Sequence, residues 1–239
     1  LAARTSDDIG KLSRRLAQND KCLSCIDNRK KPAEPTLRAS TGDSTIHEIT
    51  MKSTTPTVLI VPGLRDHVAE HWQTLLGARL PSVRAVPPMG REDLNCADRV
   101  KAIEREIAAI ERPIVIVAHS GGCVMVAHWA RTTRHADAVR GALLATPPDF
   151  DSPMPAGYPS LEALRAGGWL PVPRERLAFR SLVAMSRNDP LGAYERVGEL
   201  ARAWGSEMVD LGSVGHLNPA SGFGEWPMAE ALIQRLATE

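Results

Sequence analysis

The chain has 239 residues with 43% hydrophobic content, enough for one α/β domain with a sizeable core. Lys+Arg 29 against Asp+Glu 28 leaves no basic excess to attract nucleic acid or an anionic membrane, and no long block of like charge occurs. No run approaches the roughly 18 apolar residues that span a bilayer, no secretory-type apolar core opens the chain, and of four cysteines only Cys22 and Cys25 form a C-x-x-C; the expectation is a cytoplasmic protein with no disulfide framework and no four-cysteine zinc site.

Residues 1–50 are rich in Lys, Arg, Asp, Ser and Thr, carry Pro32 and Pro35, and have few apolar residues at any steady period. They read as a disordered amino-terminal extension, with residues 51–239 as one domain that Met51 opens. Thr57 to Val61 is a β-branched run stopped by Pro62-Gly63, the first buried strand. Ala69 to Leu80 has helical spacing and is closed by Pro81. Val83 to Val86 is a short strand, and Leu94 to Ile110 a helix whose apolar positions 94, 97, 100, 103, 107 and 110 advance by threes and fours and mark its inward face. Ile114 to Val117 is a buried strand, followed by a helix from Cys123 to Ala130. Val139 to Ala145, Ser181 to Ser186 and Glu207 to Leu211 are further strands, with helices from Leu191 to Trp204 and from Pro227 to Ala237. The stretch from Thr146 to Pro173 is too long for a simple connection, and its Phe150, Tyr158 and Trp169 suit the lining of a pocket. Strands alternating with helices predict an open, mostly parallel sheet of about six strands with helices on both faces, the α/β class.

Within this pattern Ile114 to Gly122 ends an apolar strand abruptly on Ala118-His-Ser-Gly-Gly. A serine at a sharp strand-to-helix turn, between small residues, is the arrangement of a nucleophile elbow. Ala118 and Gly122, two before and two after the serine, are expected to face each other across the turn with no room for a large side chain, and Ala118 departs from the G-x-S-x-G pattern by one methyl group. Ser120 taken alone also suits a helix N-cap.

A serine hydroxyl needs a base, and the base an acidic orienter, each at the carboxyl end of a strand. Asp189, in Ser-Arg-Asn-Asp-Pro, follows the strand ending at Ser186. His216, in Gly-Ser-Val-Gly-His-Leu-Asn, follows the strand ending at Leu211. The chain order Ser120, Asp189, His216 is that of α/β-hydrolases. Asp149 and Asp151, and after them Asp210, compete for the acid role, and Asp189 alone would also suit an N-cap. The backbone N–H groups of Gly121 and of Leu64, beyond Gly63, are the candidate oxyanion donors. One competing motif, His67-Val-Ala-Glu70-His71, matches H-x-x-E-H and on a helix would offer two zinc ligands with Glu70 as base; otherwise His71 and Trp72 begin the first helix and pack near the pocket rim.

Val-Pro-Gly-Leu with His71-Trp72, the elbow, Ser-Arg-Asn-Asp-Pro, and above all Gly215-His-Leu-Asn-Pro-Ala-Ser-Gly-Phe-Gly-Glu-Trp-Pro227 resemble the small α/β serine hydrolases typified by the retinoblastoma-binding serine hydrolase and the bacterial YdeN-like proteins. The resemblance runs from about Thr57 to the end of the chain. It implies an α/β-hydrolase fold without a large lid domain, and a triad of Ser120, Asp189 and His216. The expected activity is hydrolysis of a small ester or amide through an acyl-enzyme on Ser120, with no metal or organic cofactor and a small-molecule substrate as the partner. The alternatives are a protein-interaction module on the same fold and, behind it, the zinc hydrolase.

Overall fold

Six short runs of mainly β-branched and aliphatic residues build a single sheet in the computed structural model, which describes residues 55–65, 67–90, 92–111 and 113–238. The expectations for residues 1–50, including Cys22, Cys25 and the part played by Met51, lie outside the described residues. The strands are β1 (Thr57–Val61), β2 (Val83–Ala85), β3 (Ile114–His119), β4 (Val139–Ala145), β5 (Arg180–Met185) and β6 (Glu207–Asp210). They lie in the order β2-β1-β3-β4-β5-β6, and every neighbouring pair is parallel. The helices are α1 (Trp72–Arg79), α2 (Cys96–Ala108), α3 (Gly121–Ala130), α4 (Leu161–Ala166), α5 (Tyr194–Trp204) and α6 (Met228–Thr238).

Burial on both faces explains why the central strands read as unbroken apolar runs. In β3, Ile114, Ile116 and Ala118 join the core that contains α2, α3 and α5, whereas Val115 and Val117 join the core of α1 and α6. Trp129 and Trp204 anchor the first core, and each buried indole N–H has an acceptor, Glu104 for Trp129 and the Pro173 carbonyl for Trp204. Among the described residues no separate lid domain covers the sheet.

Most differences from the sequence reading lie at element ends. The first helix starts at Trp72 rather than Ala69, because the His71 side chain accepts the Gln73 N–H and caps it there. In the same way Asn95 caps α2 by accepting the Asp98 N–H, so that helix begins at Cys96 rather than Leu94. Its inward face also differs at that end: Ala97 is exposed, whereas Arg99 is 2% exposed with its guanidinium bonded to the carbonyls of Asp93 and Gly90. The 146–173 stretch contains α4, capped by Ser160. Its Phe150 and Trp169 pack edge to face in the core, and Tyr158 alone of the three aromatics reaches the pocket.

From β1 the chain moves to β2 on one side and returns to β3 on the other. The connections leaving β1 and β3 therefore diverge, and open a crevice at the carboxyl ends of these two strands. A buried side chain ties the split together. Gln73, 2% exposed, donates from Nε2 to the carbonyls of Val61 at 3.2 Å and Val117 at 2.9 Å, the end of β1 and the middle of β3. Replacing it with leucine keeps the volume but leaves two buried carbonyls without this donor, at about 1–3 kcal/mol each. Gln73→Leu is expected to lower the unfolding free energy by about 2–6 kcal/mol in urea titrations; an unchanged midpoint would show that the brace is not structural.

Candidate active site

β3 delivers Ser120 to the crevice on a strained backbone. Its φ of 54° and ψ of −130° lie outside the regions an L-residue prefers. The turn is held by Ser120 N–H donating to the Ala145 carbonyl and Cys123 N–H donating to the Ser120 carbonyl, both at 2.9 Å. The crowding behind the turn comes from β1 rather than from Ala118. A Cβ on Gly122 would sit 2.6 Å from the Val61 carbonyl oxygen and 2.7 Å from that of Pro62, and a Cβ on Gly63 would sit 3.1 Å from the Ser120 Cβ. The two glycines are there because two backbones touch. The Ser120 hydroxyl makes no cap hydrogen bond to α3. Instead its Oγ lies 2.8 Å from His216 Nε2.

The His216 loop follows β6 and is held on every side. His216 N–H donates to Ser221 Oγ at 3.0 Å, Ser221 N–H donates to Asn218 Oδ1 at 2.9 Å, and Gly215 N–H donates to Asn188 Oδ1 at 2.7 Å. A Cβ at Gly215 would fall 2.5 Å from Ser221 Oγ. These contacts give physical content to the long Gly-His-Leu-Asn-Pro-Ala-Ser-Gly stretch: Asn218 caps a 3₁₀ turn, Pro219–Ser221, whose serine locks the histidine backbone. From the other side His119 Nε2–H donates to the His216 carbonyl at 2.9 Å.

Asp189 faces His216 from the β5 loop. Its two carboxylate oxygens lie 2.9 and 2.8 Å from His216 Nδ1, and Oδ1 also accepts the Leu191 N–H at 2.9 Å. The side chains of His216 and Asp189 are 5% and 2% exposed. An ionised carboxylate only accepts, so His216 carries its proton on Nδ1, and its Nε2 lone pair is free to accept the Ser120 hydroxyl proton. The competing acids are engaged elsewhere. Asp149 bonds Ser152 and Arg196, Asp151 pairs with Arg174, and Asp210 with Arg187. Burial opposes ionisation of Asp149, but the hydrogen bonds from Ser152 and Arg196 and the Arg196 charge together hold its carboxyl below the usual range.

The segments of the two oxyanion candidates meet beside the serine: a Cβ on Gly121 would lie 3.0 Å from the Leu64 side chain and 3.7 Å from the Leu64 nitrogen. The helical H-x-x-E-H arrangement is not formed. α1 begins after the motif, His67 donates to the Val86 carbonyl at 3.2 Å, and His71 Nδ1 is the cap of α1. Among the described residues no cluster of three or more His, Cys, Asp or Glu is grouped to hold a metal.

Ser120 and His216 open into a cavity of about 160 Å³, whose walls include Gly63, Leu64, Val68, His71, Tyr158 and Pro219. At its edge the Arg65 guanidinium stacks over the Tyr158 ring at 4.9 Å. The roles of Gln73, His119, Asn188 and Ser221 were not read from the sequence, although His119 directly precedes the elbow serine and Asn188 and Ser221 lie within the Ser-Arg-Asn-Asp-Pro and Gly215–Pro227 stretches. The rings of His71 and His119 lie 4.6 Å apart, and those of His119 and His216 5.0 Å.

Residues 58–235 match the family profile described as serine hydrolase. The chain belongs to this family. The serine hydrolase is similar to a protein described as a YdeN-like hydrolase from Pectobacterium atrosepticum, at 28% identity and TM-score 0.63 over 77% of this chain and 90% of that one. The ydeN gene product of B. subtilis matches at 16% identity and TM-score 0.61, over 77% of this chain and 100% of the other. Est1E of Butyrivibrio proteoclasticus, solved with ferulic acid bound, matches at 14% and 0.56 over 77% and 87%; the last two likenesses are of fold. Comparison with curated proteins gives no match. No helix among the described residues is long and apolar enough to cross a membrane.

Burial lowers the His71 pKa from its ordinary 6.5 to about 4, helped by the charges of His216 and His67, and burial first of all pushes His119 well below its ordinary value. Below its ordinary value the unfolded chain takes up a proton at His71 that the folded chain refuses until about 4, so this contribution to stability falls as pH drops through that window and then levels off. Protonating Nδ1 would also break the cap of α1. The full difference corresponds to about 3 kcal/mol. Unfolding free energies measured from about pH 7 down to about pH 4.5 are expected to fall, and His71→Asn, which keeps a cap acceptor that does not titrate, to give a shallower curve. Parallel curves for the two proteins would contradict this.

Proposed function

We propose that this serine hydrolase cleaves a small carboxylic ester or amide through an acyl-enzyme on Ser120. The observation that carries this reading is the unbroken contact from Ser120 Oγ to His216 Nε2 at 2.8 Å and from His216 Nδ1 to Asp189 at 2.8 Å, at the wall of a cavity. In the first half-reaction Ser120 Oγ bonds to the carbonyl carbon while its proton passes to His216 Nε2. The N–H groups of Leu64 and Gly121 receive the oxyanion. Collapse breaks the bond to the leaving group, which takes the proton from His216. Water then attacks the acyl-enzyme, gives its proton to His216, and releases the acid as the proton returns to Ser120. Asp189 holds the ring and offsets the charge that His216 acquires.

The cavity of about 160 Å³ is small beside the roughly 300–1,000 Å³ of pockets that enclose drug-sized ligands. That favours acyl groups of a few carbons, and a small-molecule substrate without nucleic acid or membrane. A reducing, cytoplasmic setting belongs to the same proposal; Cys96 and Cys123 are buried free thiols.

A fluorophosphonate probe is expected to label the wild type stoichiometrically and to leave Ser120→Ala unlabelled; a folded wild type that never labels would end the acyl-enzyme reading in favour of a binding module. On p-nitrophenyl esters Ser120→Ala and Asp189→Asn are each expected to lose about 10⁴-fold or more in kcat. Across the ester series, kcat/KM is expected to peak at two to about four acyl carbons and to fall for octanoate. A rise through octanoate would show that the cavity does not bound the acyl chain.

A further inference from the structure

His71 is 9% exposed, and its ring lines the cavity that holds Ser120 and His216. Its Nδ1 accepts the backbone N–H of Gln73 at 3.2 Å. A ring nitrogen that accepts carries no proton, so the neutral imidazole bears its hydrogen on Nε2. Among the described residues that Nε2–H has no acceptor. The imidazole beside it, His119, is bonded through its own Nε2–H to the His216 carbonyl. The Nε2–H is solvent-accessible, so water can accept it there and a substrate oxygen can take that water's place.

We propose that His71 Nε2–H is a substrate-binding donor, and that the acyl group this enzyme accepts carries an oxygen acceptor, an ether, hydroxyl or carbonyl oxygen, near the carbonyl that Ser120 attacks. The inference rests on the acyl-transfer reading above and names its substrate class. A neutral donor suits this position. The rings of His71, His119 and His216 form a row with centroid spacings of 4.6 and 5.0 Å, so a cation at His71 would oppose the positive charge that His216 gains when it takes the serine proton. Burial keeps His71 uncharged down to about pH 4. It therefore binds an oxygen lone pair without adding charge next to the base. A lysine or arginine in its place would bind a carboxylate more tightly but would raise the cost of charging His216.

The test uses p-nitrophenyl methoxyacetate and p-nitrophenyl butyrate, which differ by one oxygen in place of a methylene. His71→Ser retains a side-chain acceptor to cap α1 and removes the ring donor, which separates the helix-capping role from the binding role. The methoxyacetate-to-butyrate ratio of kcat/KM is expected to fall roughly fivefold in His71→Ser, mostly through KM; the same ratio in both proteins overturns the inference. A second measurement does not require turnover. In Ser120→Ala with ¹⁵N-labelled histidine, His71 is expected as the Nε2–H tautomer, with an Nε2 resonance that moves on adding methoxyacetamide and moves less with butyramide. An Nδ1–H tautomer, or equal responses, overturns the inference even where hydrolysis stands. Wild type that turns over neither ester, while methoxyacetamide still shifts His71, supports the donor and sinks the acyl-transfer reading alone.

Discussion

The backbone crowding where β1 and β3 separate is the constraint on which the site depends. The carbonyl oxygens of Val61 and Pro62 come so close to Gly122 that no side chain fits there, and Gly63 lies against Ser120 in the same way. With this space closed, the chain leaving β3 turns into α3 through a serine at φ 54°, a conformation that costs of order 1–3 kcal/mol. The surrounding fold offsets that cost. β3 is central and buried on both faces, and the two backbone hydrogen bonds at Ser120 and Gln73 across the strand ends keep the turn from relaxing.

Around this turn the protein places three histidines with different hydrogen-bond partners. His216 contacts a buried carboxylate, whereas among the described residues His71 and His119 have no carboxylate partner and burial lowers the pKa of both. On the proposed acyl-transfer reading, the carboxylate is the partner for the charge that His216 gains, while His119 contributes a hydrogen bond to its backbone. His119 fixes the His216 carbonyl and Ser221 fixes its N–H. The loop is thereby held by both backbone groups of the residue it presents. Its left-handed residues Gly215 and Leu217 are tolerated because the loop is tied on both sides.

Much of this was legible in the chain. Period and β-branched content located all six strands to within a residue or two, because strands buried on both faces must be continuously apolar. The order Ser120, Asp189, His216 was readable because each follows a strand, and a parallel sheet brings the carboxyl ends of all its strands to one edge. Helix starts were less legible. His71 is an unusual N-cap, and the cap of α2 at Asn95 is a local choice that an apolar periodicity does not register. The inward face of α2 went partly astray for a related reason, since Arg99 is buried by bonding backbone carbonyls of the loop before the helix rather than by apolarity.

The sequence by itself determined the sheet, the elbow and the acid and base candidates, since these follow from local periodicity, glycine placement and chain order. Only the tertiary structure decided which aspartate meets His216, because Asp149, Asp151, Asp189 and Asp210 all sit near strand ends and differ only in the arginine or histidine that the fold brings to them. It alone decided that Gln73 spans two strands, that Gly122 is crowded by the end of β1 rather than by Ala118, and that His71 lines the cavity beside Ser120. Each of these depends on contacts between segments far apart in the chain. Their distance and direction are set by packing, which no pattern within one segment encodes.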